Sequence, residues 1–183
     1  MRRALLALAA LGLVAAALSA CGGGGAATTT AVPDKAADVE ILNDVLAREM
    51  AAIDAYGRVL PRLHAADLAA ARRFRAQEQE HVDAVVKALR GLGGKAAPAE
   101  EAIEAPGLGS RAGALGFLYE LESVSVADDL RAISHLSAPW PRSLLGSVAT
   151  DQAQHLVLLR RALGAGGEEL VPRAFEDGTT PAP

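Results

Sequence analysis

Six polar side chains stand inside the apolar helical stripes of this 183-residue chain, and their types are those that hold metal ions: Glu49, Glu78, His81, Glu122, Gln152 and His155. Each is in register with leucines and valines that recur at three- and four-residue steps. A charged group in a helical interior is costly unless it is paired or bound to a metal. Glu78-Gln79-Glu80-His81 has the form ExxH, and positions three apart share one helix face, so carboxylate and imidazole can reach the same ion. Alone, that motif is weak, because a chain with 12 Glu and 4 His meets the spacing readily by chance. The repeat is stronger. Glu122 follows Glu49 by 73 positions and His155 follows His81 by 74, so the first two helical segments map onto the last two with a one-residue slip. A pseudo-twofold pair of helix hairpins would bring all six side chains to one depth of the core.

The elements that must position them read as four amphipathic helices. The first is expected from about Asp34 to Leu60, with Leu42, Val45, Leu46, Glu49, Ile53, Tyr56 and Leu60 on one stripe, and Pro61 interrupts the backbone ladder near its end. The second, from about Ala65 to Leu92, aligns Leu68, Ala71, Phe74, Glu78, His81, Val85 and Leu89 and stops at Gly91, Gly93 and Gly94. Residues 93–110 are rich in glycine, proline and acids, too long for a tight hairpin, and read as a crossover along the bundle. The third helix, from about Ser110 to Leu136, aligns Leu115, Leu118, Glu122, Val126, Asp129 and Ile133. Pro139-Trp140-Pro141 suits a helix start. The fourth helix then carries Leu145, Val148, Gln152, His155, Leu159 and Leu163 to Gly164. The fold class is all-α: a four-helix bundle over residues 34–164 with a long connection between helices two and three, followed by a disordered tail over 165–183.

Composition agrees. Hydrophobic residues make up 51% of the chain, but 41 residues are alanine, a helix former rather than a core filler. Aromatic residues, at 3%, cannot fill a β-sandwich. The balance of 18 basic against 22 acidic residues argues against nucleic acid, which needs a concentrated basic face. One cysteine excludes an internal disulfide and any Cys-rich zinc or iron–sulfur site.

That cysteine has another assignment. Arg2 and Arg3 precede an apolar run from Ala4 to Ala17, too short to span a bilayer, which reads as a secretory signal over residues 1–20. Leu18-Ser19-Ala20-Cys21 resembles the lipobox of bacterial lipoproteins, in which the cysteine is acylated and becomes the mature N-terminus. The flanks expected around a twin-arginine signal are missing. Residues 21–33, with Gly22 to Gly25 and Thr28 to Thr30, read as a flexible tether with a reach on the order of 20 Å. The expected location is extracytoplasmic, lipid-anchored to the cell membrane through Cys21. Loss of residues 1–20 removes two arginines and no acids, which leaves 16 basic against 22 acidic residues, a net charge of -6.

From Asp34 to Gly164 the pattern resembles the ferritin-like superfamily of di-iron and di-manganese carboxylate proteins: a lone Glu on each of two helices, an ExxH on each of the others, and a long connection after helix two. The resemblance implies that Glu49 and Glu122 are terminal or bridging carboxylates, that Glu78 and His81 form one complete pair, and that His155 is the second imidazole. It implies iron or manganese as the cofactor, and ferrous oxidation or peroxide disposal as the chemistry of a metal pair. The departure is Gln152, where the pattern has Glu. A complete site sets four carboxylates against two divalent ions, whereas this one supplies three and a neutral, weaker amide carbonyl. One bound ion, or an unequal pair with low occupancy of the second position, is expected. Asp151 is adjacent but points about 100° away on the helix. Asp129 lies two turns from Glu122, roughly 10 Å, and reads as a partner of the ligands or of another metal position. Tyr56 reads as a core tyrosine whose hydroxyl finds a carboxylate.

The remaining polar residues have simpler roles. His64 and His135 read as solvated or helix-terminus histidines, Glu80, Asp83, Glu120 and Asp128 as surface charges, and Trp140 as a cover over the bundle end. No phosphate loop or nucleophile–base set is present in the sequence. Two functions follow: a metal-binding, oxidase-type lipoprotein, or a metal-poor bundle serving as a structural or interaction module of the envelope. A homodimer is compatible with either. A storage cage is not expected, because an acylated N-terminus ties each subunit to a membrane.

Overall fold

The computed structural model describes residues 32–98 and 108–171. The expected signal peptide, Cys21, nearly all of the tether, the middle of the crossover and the end of the tail lie outside these residues. Among those described, four long helices follow one another: α1 Lys35–Val59, α2 Ala65–Leu92, α3 Arg111–His135 and α4 Pro139–Leu163. Single 3-10 turns occupy Leu60–Arg62 and Gly167–Leu170. None of the helices is long and apolar enough to cross a membrane.

Each helix end has a local cause. The Asp34 carboxylate accepts from the backbone N–H of Ala36 and of Ala37, both at 3.1 Å, and starts α1. Pro61 cannot join the α-helical ladder, and the chain tightens into the 3-10 turn there. Gly93 closes α2 in the left-handed region at φ 84°, and the next N–H, from Gly94, reaches back to Leu89 O at 2.8 Å. A side chain at Gly94 would also collide with Val39 of α1. Ser110 is the cap of α3 rather than its first residue, accepting from Gly113 N at 3.0 Å.

α4 opens with Pro139, as its sequence suggests, but its own cap position is Ala138, which has no side-chain acceptor. The acceptor comes from another helix. Asp38 of α1, fully buried, takes hydrogen bonds from Ser137 N at 2.7 Å, Ser137 Oγ at 3.0 Å and Ala138 N at 2.9 Å. Burial alone would raise this carboxyl. The two backbone N–H groups, the hydroxyl and Arg142 outweigh burial and hold it below the usual range.

α1 pairs with α2 and α3 with α4, and the two hairpins meet through α1 against α3 and α2 against α4. α1 and α3 are antiparallel: Asp38, near the start of α1, meets the chain just beyond α3, whereas Tyr56, near its end, meets Glu122. The crossover leaves α2 beside α1, where Asn43 donates to Lys95 O at 3.2 Å and accepts from Ala97 N at 2.8 Å. It returns at Arg111, which binds Asp67 at the start of α2 and Ala162 O near the end of α4. Its two flanks therefore sit at opposite ends of the bundle, as a ferritin-like connectivity requires.

The buried apolar side chains fall into two clusters. One holds Tyr56, Phe74, Leu115, Leu118 and Leu156, and the other holds Leu42, Leu46, Val85, Leu89 and Leu145. Along α1, α2 and α4 the polar intruders lie between these two sets, while on α3 Val126 of the first set follows Glu122 and the second set begins at Ala132, so the bundle is broadly an apolar layer, a polar layer and a second apolar layer. Trp140 lies against Gly91 at the end of α2 while staying 45% exposed, covering the bundle end as expected.

Candidate metal centre

The polar layer gathers all six residues that the sequence singles out, one or two from each helix. Glu49, Glu78, Glu122, Gln152 and His155 are at most 2% exposed, and His81 is 8% exposed. Ligand atoms of Glu49, Glu78 and His81 lie within 4.8 Å of one another, and so do those of Glu78, Glu122 and His155. Glu78 belongs to both groups. The arrangement thus makes Glu78 the carboxylate between two positions, with Glu49 and Glu122 each at one end beside one imidazole.

Both histidines turn Nδ1 inward. His81 Nδ1 is 3.2 Å from Glu49 Oε2 and 3.4 Å from Glu78 Oε2. His155 Nδ1 is 3.1 Å from Glu122 Oε1 and 3.5 Å from Glu78 Oε1. The outward nitrogens meet a residue that sequence reasoning sets aside. Asp151 Oδ2 lies 3.3 Å from His81 Nε2 and 3.5 Å from His155 Nε2, while its other oxygen accepts from Gln77 Nε2 at 3.0 Å. Gln77 Oε1 is itself 3.3 Å from His155 Nε2. The expectation that Asp151 points away from the site is therefore corrected. One helical step beside Gln152 does not face water in this bundle but α2, where both imidazoles present their second nitrogen. A carboxylate there fixes ring orientation and raises the basicity of the inward nitrogen.

Gln152 reaches the centre as a donor: its Nε2 donates to Glu49 Oε1 at 3.1 Å, and its Oε1 is buried without a hydrogen-bond partner among the described residues. Tyr56 donates a short hydrogen bond to Glu122 Oε1, the carboxylate partner expected of it. Phe74 closes the His155 side, stacked on the imidazole at 4.0 Å and meeting the Tyr56 ring edge-on.

Asp129 is nearly fully buried, but it belongs to neither ligand group. Its neighbour is Arg48, 4.0 Å away, which also approaches Asp128 at 3.4 Å. Asp128 is thus a half-buried partner of Arg48 and Arg131 rather than a free surface charge. Glu80, Asp83 and Glu120 are exposed. His135 ends α3, where positive charge suits the dipole, whereas His64 stands at the N-terminal cap of α2, where it does not.

The electrostatics describe a site short of positive charge. Burial raises Glu49 to about 7 and Glu122 to about 8, with hydrogen bonds from His81 and Tyr56 respectively opposing it. Burial, with Glu49 nearby, raises Asp129 to about 8 despite Arg48. Burial alone would lower His81, yet the carboxylates of Glu49 and Glu78 hold it up at about 10. His155 is pulled below its ordinary value by burial, which Glu78 and Asp151 resist. Burial and the adjacent Glu122 push the Tyr56 hydroxyl well up. Both oxygens of Glu78 and Oε2 of Glu122 are buried without hydrogen-bond partners among the described residues. Carboxylate oxygens left so, facing imidazole nitrogens, fit a divalent cation by chemistry and by charge.

The sequence signal for Asp151 and Gln77 was present in the repeat. Gln77 precedes Asp151 by the same 74 positions that separate His81 from His155, so the two residues occupy equivalent places in the two hairpins.

A family model described as a ferritin-like domain matches residues 37–165. No curated protein matches the chain. Among solved structures, a conserved hypothetical protein from Mycobacterium tuberculosis superposes with a TM-score of 0.66 at 24% identity, covering 76% of this chain and 97% of the other. A structure described as ferritin-like, diiron-carboxylate proteins from Bacillus anthracis superposes with a TM-score of 0.59 at 19% identity, covering 72% and 98%. At these identities the likeness establishes the bundle.

Proposed function

The chain belongs to the ferritin-like domain family, and from that premise we propose that its polar layer binds divalent iron or manganese in two unequal positions sharing Glu78. One position takes Glu49, Glu78 and His81, the other Glu78, Glu122 and His155. The observation that carries this is Glu78 itself: a fully buried carboxylate, both oxygens without hydrogen-bond partners, flanked by the inward nitrogens of two histidines.

Inequality follows from Gln152. Three carboxylates face two sites, and one oxygen of Glu49 is already engaged by the Gln152 amide. The fourth negative charge, on Asp151, lies behind the imidazoles, where it strengthens the nitrogens as ligands without touching the ions. A reduced metal pair held here would supply electrons to oxygen or peroxide, the chemistry of ferrous oxidation or peroxide disposal. The chain's own contribution is to orient the ligands from Asp151 and Gln77, to hold a proton at Tyr56 beside Glu122, and to exclude water with Phe74 and the two apolar layers.

The proposed location is outside the cytoplasm, with Cys21 acylated and the bundle tethered to the cell membrane. This rests on Leu18-Ser19-Ala20-Cys21 and the apolar run before it. Replacing Cys21 with Ser should release the protein from the membrane fraction.

Anaerobic loading of the purified protein with ferrous iron, followed by elemental analysis and thermal denaturation, tests the metal reading. Retention of one to two ions per chain with a raised melting temperature is expected. Trace metal with an unchanged melting temperature would overturn it and favour the metal-poor structural module, the reading that Gln152 supports.

A further inference from the structure

A cavity of about 270 Å³ lies between α2, α3 and α4, beside the metal centre but separate from it. It reaches the surface at Leu158, which is 42% exposed, and is lined at its buried side by Phe74, whose ring stacks on His155. Its walls are apolar because the helices present small side chains there: Ala70 and Ala71 on α2 leave room opposite Leu158 and Leu159 on α4. Two charged residues border it. Asp67 is already engaged, its carboxylate 2.5 Å from Arg111 Nε. The guanidinium of Arg161 has no hydrogen bond or ion pair among the described residues.

We propose that this cavity binds a free medium-chain carboxylic acid, with the carboxylate on Arg161 and the chain running inward to Phe74. The walls select an apolar body, because filling the cavity removes apolar surface from water. The guanidinium selects the head, since it matches a carboxylate in paired hydrogen bonds. Size selects the length: an apolar cavity of about 150 Å³ takes up benzene, so about 270 Å³ holds roughly ten to eleven carbons at the same filling. That is too little for a two-chain bilayer lipid, so the occupant is the free acid.

Calorimetric titration of the purified, metal-free protein with decanoate tests this, and decanol serves as the uncharged control. Saturable binding of one decanoate is expected, weakened about tenfold by Arg161→Gln, while decanol binds the parent and R161Q alike. Ala70→Phe, at a half-buried position, should abolish binding of both, and Leu158→Trp at the mouth provides a second blocking variant should the first fail to fold. No binding of decanoate, equal binding to R161Q, or undiminished binding to both blocked variants would each overturn the proposal. Because no metal is present in the titration, any of these results leaves the metal reading standing, and loss of the metal reading leaves this one.

Discussion

The side-chain amide of Gln152 donates to Oε1 of Glu49 across the bundle, at 3.1 Å, with both residues almost completely buried. A neutral donor thus stands where the ferritin-like pattern places a carboxylate, and it occupies an oxygen that a metal would otherwise share. Gln152→Glu should therefore have opposite effects in the two states. Without metal it adds a buried charge beside Glu49 and lowers the melting temperature. With metal it tightens the second divalent ion, measurable by cobalt titration. Unchanged affinity for the second ion would show that the side chain at 152 does not face that position.

Asp151 holds the outward nitrogens of both histidines. Removing the charge while keeping the shape, with Asp151→Asn, should cost about 10- to 100-fold in metal affinity, the usual effect of losing such a partner. The bundle itself should melt within a few degrees of the parent, since Asp151 lies at the half-buried edge of the layer. Affinity within twofold of the parent would remove the residue from the site.

Asp38 caps α4 from α1, and its loss leaves the N–H groups of Ser137 and Ala138 without their acceptor. Asp38→Ala should destabilise the fold by about 2–3 kcal/mol at neutral pH, read from denaturant unfolding. Because its carboxyl is held below the usual range, the parent has this contribution in full above the unfolded value and loses it as pH falls through the folded one. The difference between parent and variant should therefore shrink in acid, and a constant difference down to pH 2 would contradict the capping role.

The metal-free centre should be more stable at lower pH over part of the range. Glu49 at about 7, Glu122 and Asp129 at about 8, and His81 at about 10 all titrate higher in the folded chain than in the unfolded one. From about pH 4.5 to 10 the folded state therefore binds more protons at these groups, the carboxyls up to about 8 and His81 beyond, and their contribution to stability falls as pH rises. Metal ions compete for the same atoms, so metal affinity should rise over that interval. Melting curves from pH 6.5 to 9, with a chelator and then with manganese, check both slopes. A flat chelator curve would mean that these groups ionise as they do in water.

Much of the architecture was legible because it is local and periodic. Three-residue spacing puts Glu78 and His81 on one face whatever surrounds the helix, and left-handed Gly93 and Pro139 mark ends by their own backbone limits. The matched intervals from Glu49 to Glu122 and His81 to His155 indicated a common depth before any contact was known. Tertiary packing decided the rest, because it sets what lies opposite each face. The flank of α4 bearing Asp151 would meet water on an isolated helix, but here it meets α2 and two imidazoles. Glu78 is shared, Asp129 is turned to Arg48 and Asp38 caps a distant helix because rigid helices from opposite ends of the chain converge there. Periodicity specifies which face of a helix is buried; only the angle and offset at which helices meet specify which atoms on those faces touch.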